Sequence, residues 1–160
     1  MAVTTVAKVG AKAPAFTLKD QDDKPVALDD FTGRWLVLYF YPEDDTPGCT
    51  TEACEFTSIL QRLDSLGATV VGVSPDSSES HQKFIAKYRL QVTLLSDPDH
   101  TVMEKYGAWG ARTIYGRQVE GVIRSTFLID PQGRIAHAWP KVKAEGHGAK
   151  VRAKLAELAG

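Results

Sequence analysis

The chain is poor in sulfur and has no long apolar run. Its 160 residues include two cysteines and two methionines, too few for the disulfide framework that staples small secreted domains. The longest unbroken apolar stretch, Trp35 to Tyr41, is far shorter than the roughly 20 residues a membrane-spanning helix needs. An excess of one charge sign is also missing, since 19 Lys and Arg stand against 20 Asp and Glu for a formal net charge of −1. No basic cluster of the kind that follows a phosphate backbone disturbs that balance, so nucleic acid is not an expected partner. Residues Met1 to Lys8 hold no apolar core followed by a small-residue cleavage site, and a cytoplasmic location is expected. Repeats, low-complexity tracts and long polar linkers are absent too. With 43% hydrophobic residues, the expectation is one domain spanning residues 1–160, with a single core.

What the sequence does have is an alternation of strand and helix periods. Ala13 to Leu18 and Pro25 to Leu28 read as short extended pieces around the polar turn Lys19 to Lys24, an N-terminal β-hairpin extension. Trp35 to Tyr41 predicts a buried strand, Thr51 to Leu66 a helix, Thr69 to Ser74 a strand and Ser77 to Tyr88 a second helix, the pattern of parallel βαβ units. Phe56, Ile59, Leu60, Leu63 and Leu66 form the apolar stripe of the first helix, which Gly67 is placed to end. Asp76 with Glu79 resembles a capping box for the second helix. Val92 to Leu95 predicts a strand and Thr101 to Tyr106 a short helix. Thr126 to Ile129 and Ile135 to Trp139 flank the turn Asp130 to Arg134, and a last helix starts near His147. The expected class is α/β, a central mixed β-sheet flanked by helices. Gly107, Gly110, Gly116 and Gly121 read as a flexible connection, with Trp109 placed near the approach to the site.

Cys49 follows the loop Pro42 to Gly48 and falls where that loop becomes a helix. Unpaired backbone N–H groups and the positive end of a helix dipole favour an anion there, which is a route to a reactive thiolate. Glu43, Asp44, Asp45 and Glu52 oppose it if they lie close in space. A cation from elsewhere in the chain is therefore required, and Arg124, just ahead of the core-like strand at Thr126, is the candidate. Cys49 and Glu52 project on the side of the apolar stripe, whereas Cys54 projects nearly opposite it beside Thr57, Ser58 and Gln61. In a continuous helix the two cysteine Cα atoms lie about 8.6 Å apart, beyond the roughly 4.4–6.8 Å a disulfide spans. If the pair is redox-coupled, the first turns of the helix unwind in each cycle. The alternative is a pair of small buried hydrophobes.

Pro42-x-x-x-Thr46-x-x-Cys49 resembles the active-site motif of peroxiredoxins, and Thr46 to Cys54 is similar to that of their Q-type, or bacterioferritin-comigratory-protein, subfamily. The resemblance continues in Ala13 to Leu18, Gly72 to Ser74, Leu95 to Asp97 and Arg124 to Asp130. It implies a thioredoxin-like fold and a peroxidase without haem, flavin or metal. It further implies that Cys49 is the peroxidatic nucleophile and Cys54 the resolving thiol. In that pattern Thr46 and Arg124 hold the thiolate and the peroxide oxygens in line, Pro42 shields the sulfur, and Glu52 orders the arginine. The implied partners are a hydroperoxide substrate and thioredoxin as reductant, with a monomer or weak dimer as the working unit.

The four histidines show neither the spacing of a helical metal pair nor proximity to a cysteine in sequence, so no metal site is expected. No cofactor is expected either, since the glycines do not form a phosphate-binding fingerprint. Two other functions fit parts of the sequence: a thiol–disulfide oxidoreductase on the same fold, and a non-catalytic binding module with structural cysteines. The first normally carries Cys-x-x-Cys, and the second leaves a helix-terminal Cys49 without a purpose.

Overall fold

The computed structural model describes residues 7–160. The N-terminal stretch searched for a secretion signal therefore lies largely outside the described residues. The apolar strand of the sequence becomes β3 (Trp35–Phe40), an interior strand of a seven-stranded sheet. It pairs in parallel with β4 (Ala68–Ser74), which pairs in parallel with β5 (Thr93–Ser96). On its other side β3 pairs antiparallel with β8 (Ser125–Ile129), and β8 with β9 (Ile135–Trp139). The expected N-terminal hairpin is β1 (Thr17–Lys19) with β2 (Pro25–Ala27), joined antiparallel to β5 to give the order β2-β1-β5-β4-β3-β8-β9.

Strand alternation divides the core into two layers. Leu36, Leu38 and Phe40 point to one face with Val71, Val73 and Phe127, where α3 (Thr101–Tyr106) adds Met103 and Tyr106. Val37, Tyr39 and Tyr41 point to the other, against α1 (Pro47–Ser65), α2 (Ser78–Tyr88) and α4 (His147–Ala159). Both parallel crossovers, β3 to β4 and β4 to β5, thus carry their helices on one face, as successive crossovers of one hand require when the chain advances in one direction across a sheet.

Three local expectations are corrected. Helix α1 begins at Pro47, four residues before the expected Thr51, because proline at the first helical position has a suitable φ and no N–H to leave unsatisfied. The cap of α2 is Ser77, whose hydroxyl accepts from the Ser80 N–H at 3.1 Å; Asp76 instead accepts from the Asp44 N–H and the Ser74 hydroxyl. The glycine-bearing connection is no flexible linker. It forms an antiparallel ribbon of β6 (Trp109–Ile114) and β7 (Arg117–Val122), with Gly116 at φ 77° in its turn.

Candidate active site

Cys49 occupies the third position of α1, where a backbone N–H has no partner one turn earlier. Thr46 precedes the helix in an extended conformation, yet its side chain does not cap it. The hydroxyl donates instead to the Glu43 carbonyl at 2.8 Å. The start of α1 therefore keeps uncapped N–H groups around the sulfur, at the positive end of a 19-residue helix.

The sulfur is buried, with 1% of the residue exposed, at the edge of the core layer that holds Tyr39, Ala53 and Phe56. Arg124, in the two-residue step between β7 and β8, reaches it from the opposite edge of the site. Its Nη2 donates to Cys49 Sγ at 3.1 Å and its Nη1 to Glu52 Oε1 at 2.6 Å. One rigid guanidinium thus grips a sulfur and a carboxylate one helical turn apart, the geometry for which arginine is suited and lysine is not. Gly48 makes the approach possible, since a Cβ there would lie 3.2 Å from Arg124 Nη2. The Arg124 main chain is fixed in turn by the Val142 N–H, which donates to its carbonyl at 2.9 Å.

Burial of Arg124 works against its charge, but the Glu52 carboxylate and the Cys49 sulfur outweigh that and raise its pKa. Glu52 is fully buried, and burial pushes its carboxyl up to about 7 against the opposing pull of Arg124. Its second oxygen has no hydrogen-bond partner among the described residues, and neither have the buried Tyr39 and Thr50 hydroxyls. Burial, with Glu52 and Cys49 nearby, also raises the Tyr39 phenol.

Two of the four carboxylates expected to oppose a thiolate, Asp44 and Asp45, are engaged elsewhere, while Glu52 is held by Arg124. Asp44 is buried against α2, accepting from the Tyr41 hydroxyl at 2.6 Å and the Ser80 hydroxyl at 2.7 Å, with His81 Nδ1 at 2.7 Å. Asp45 pairs with Lys87 at 2.8 Å and the Tyr88 hydroxyl at 2.6 Å, which hold its carboxyl below the ordinary range. His81 and His147 are buried members of these surroundings that the sequence did not single out. His147 contacts the Thr126 hydroxyl at 2.8 Å, and burial lowers its pKa to about 4.

A cavity of about 490 Å³ is lined by Pro42 and Arg124 together with Arg112, Lys141 and Val142. Residues Ala111 to Thr113 and Val122 of the β6–β7 ribbon form part of its wall, but Trp109 does not line it. That indole stacks on His100, with ring centres 3.5 Å apart and planes at 10°. Cys54 stands apart from the cavity on α1. Both cysteines are free thiols, and Cys54 is half-buried and packed against the core rather than turned clear of it. Among the described residues no group of three or more His, Cys, Asp or Glu side chains is arranged to hold a metal, and no helix is long and apolar enough to cross a membrane.

Residues 9–138 match the model of the AhpC/TSA family. A putative peroxiredoxin bcp of Coxiella burnetii is 49% identical over 148 residues, covering 92% of this chain and 98% of the relative. Peroxiredoxin Bcp of Bacillus subtilis is 43% identical over 151 residues, covering 94% and 96%. Among solved structures, the Xanthomonas campestris bacterioferritin comigratory protein, described for its alkyl peroxide reduction activity, is similar with a TM-score of 0.88 and 39% identity, covering 98% of this chain and 99% of that one. A cysteine-to-serine variant of Xylella fastidiosa PrxQ is similar at a TM-score of 0.91 and 39% identity over the same shares. With its central sheet, its buried arginine-bound cysteine and these relatives, the chain belongs to the AhpC/TSA family as a peroxiredoxin, a thiol peroxidase of thioredoxin-like fold.

Proposed function

We propose that Cys49 reduces hydrogen peroxide and alkyl hydroperoxides, that Cys54 resolves the product as an intramolecular disulfide, and that thioredoxin reopens it. The observation that carries this reading is the 3.1 Å bond from Arg124 to the Cys49 sulfur at the start of α1. A thiolate is the nucleophile that peroxide cleavage needs. A guanidinium on one side and helix N–H groups on the other stabilise it without a counter-ion from solvent.

In the first step the thiolate attacks the terminal oxygen of ROOH along the O–O axis. The S–O bond forms, the O–O bond breaks, and the departing alkoxide takes a proton to leave as water or alcohol. Arg124 is placed to follow the charge from sulfur to leaving oxygen, the kind of preorganised donor that stabilises developing anions. Thr46 acts here through its oxygen. Its proton is committed to the Glu43 carbonyl, so its oxygen serves as the acceptor that orients the peroxide hydrogen. Pro42, which lines the cavity beside Arg124, keeps water from the sulfur, and Glu52 holds the guanidinium in register.

In the second step the Cys54 thiol attacks the Cys49 sulfenic acid, expelling water. Disulfide closure protects the sulfur from irreversible oxidation. A dithiol reductant then restores both thiols, which suits the cytoplasmic location expected from the sequence. Every group named for these steps belongs to one chain, in keeping with a monomer or weak dimer. The oxidoreductase reading is disfavoured by the 1% exposure of Cys49, which admits a small peroxide but not a protein disulfide. Stopped-flow mixing of reduced protein with hydrogen peroxide tests the proposal. Rapid loss of one thiol, then of the second without further peroxide, is expected. Thiol loss at the rate of free cysteine would end it.

A further inference from the structure

Helix α1 is tied down in two different ways along its length. Before residue 55 its ties lead to the reacting groups, through Arg124 to Cys49 and Glu52. From residue 55 they lead first to α4 and then, farther along, to Gln91, whose N–H donates to the Thr57 hydroxyl, and to Arg34, which pairs with Asp64. Glu55 Oε2 accepts from the Gly146 N–H at 2.8 Å, and Oε1 from the Gly148 N–H at 2.9 Å. Gly146 precedes the first turn of α4 and has no side chain with which to cap it. The carboxylate from α1 supplies the missing cap, and its charge sits at the positive end of the α4 dipole. Gly148 gives it room, since a Cβ there would lie 3.0 Å from Glu55 Cβ and 3.3 Å from Oε1. Next along the chain, the Phe56 ring meets His147 edge-on with centres 6.1 Å apart, and the Ser58 hydroxyl donates to the Glu55 carbonyl at 2.7 Å.

This seam begins one residue past Cys54. Disulfide closure forms the S–S bond, breaks the S–O bond of the sulfenic acid and releases water with the Cys54 proton, so no further reactant is needed. An intact helix cannot host the product, because cysteines five residues apart lie about 8.6 Å from each other at Cα and the bond spans roughly 4.4–6.8 Å. The start of α1 must open, and local opening runs until it meets a better-anchored unit. We propose that Glu55 is a positioning residue for resolution, fixing the point where unwinding of α1 stops, so that residues 47–54 rearrange while 55–65 stay wound on α4. The proposal rests on the Cys49–Cys54 reading above. In the shortened helix Glu55 becomes the first residue, where newly exposed N–H groups favour a carboxylate. The contact is therefore worth more in the disulfide form than in the dithiol form, and it favours closure.

The test uses the full chain and its Glu55→Gln and Glu55→Ala variants, with amide hydrogen exchange measured on dithiol and disulfide forms and the disulfide equilibrated against a dithiothreitol redox buffer. In the wild type, oxidation should remove protection from residues 47–54 and leave the rest of α1 and the first turn of α4 protected. In Glu55→Ala, oxidation should extend the loss into 55–61 and the start of α4. The equilibrium constant for closure should fall about fivefold, the size of one lost cap. Glu55→Gln, which keeps one acceptor oxygen, should fall between the two. The rate of Cys49 oxidation by peroxide should change less than about twofold, since that step precedes any unwinding. Wild-type opening that runs past residue 55, or an exchange boundary and equilibrium constant equal in all three proteins, would overturn the role of Glu55 alone. A wild type that forms no Cys49–Cys54 disulfide would overturn the underlying reading with it.

Discussion

The short loop between β3 and α1 faces two ways, and its two sides are bonded differently. On the α2 side the Asp44 carboxylate is saturated by Tyr41, Ser80 and His81, and the Asp45 carboxylate is held by Lys87 and Tyr88. On the α1 side polar capacity is left over. Thr46 has free lone pairs on its hydroxyl, the second oxygen of Glu52 is unpartnered, and the Arg124 guanidinium lies beside an open cavity. A saturated cluster has nothing further to offer a ligand and serves as scaffold. An unsaturated one stores hydrogen-bonding capacity that a small polar substrate can use. The loop turns its acidic residues into anchors on one side, which frees the other side for an anion.

Four changes would break or sharpen that contrast. The largest effect should come from Cys49→Ser, which leaves both clusters folded and removes peroxide turnover altogether, as a residual-peroxide or coupled reductase assay would read. Next, Asp44→Ala should cost about 3–5 kcal/mol of stability by leaving His81 and Tyr41 without their buried partner. Its folded fraction should still react with peroxide within about tenfold of the wild type, the scale of an indirect effect. Urea titration and stopped-flow together check this pair of outcomes, and an intact stability with lost chemistry would invert the comparison. Arg124→Gln should do the reverse, slowing Cys49 oxidation about 10²–10³-fold, as loss of one preorganised donor does elsewhere.

The smallest effect concerns pH. Glu52 is raised from 4.5 to about 7 in the folded chain, so its contribution to stability is present below the unfolded value and is lost as pH rises through the folded one. His147 is lowered from 6.5 to about 4, so its contribution is present above pH 6.5 and lost as pH falls. The two slopes oppose each other between 4.5 and 6.5. Glu52→Gln removes one of them and should make stability climb more steeply with pH across that window. The difference from wild type should reach at most about 3 kcal/mol, read as a shift of the urea midpoint. Equal pH profiles would mean that Glu52 is ionised in both states.

Unbroken apolar runs made β3 and β4 legible, because both faces of each are buried, and one-sided apolar stripes made α1 and α2 legible. The ribbon β6–β7 was not legible. Its residues Arg117 to Glu120 are exposed, so neither face carries an apolar pattern and only the glycines stood out. The early start of α1 was available in Pro47, a helix-opening signal that the adjacent glycine made look like a turn. Cys49, Thr46 and Pro42 were marked by their spacing, and Arg124 by the physical need for a cation. The partners of Asp44 could not be read in the same way. His81 lies 37 residues along the chain, and only the crossover geometry of α2 brings it back to the loop.

Gly72 of β4 lies directly across from Tyr39, and the phenol ring rests where a side chain would be; a Cβ at this position would stand 2.6 Å from Tyr39 Cζ and 2.9 Å from Leu94 Cδ2. Tyr39 in turn packs on Phe56 of α1, with ring centres 4.8 Å apart. A single methyl group added at this strand position would push the ring outward into the helix and shift the sulfur relative to its guanidinium. A genetic selection for peroxide tolerance would therefore reject every replacement at this buried glycine, although it makes no contact with substrate and carries no chemistry of its own.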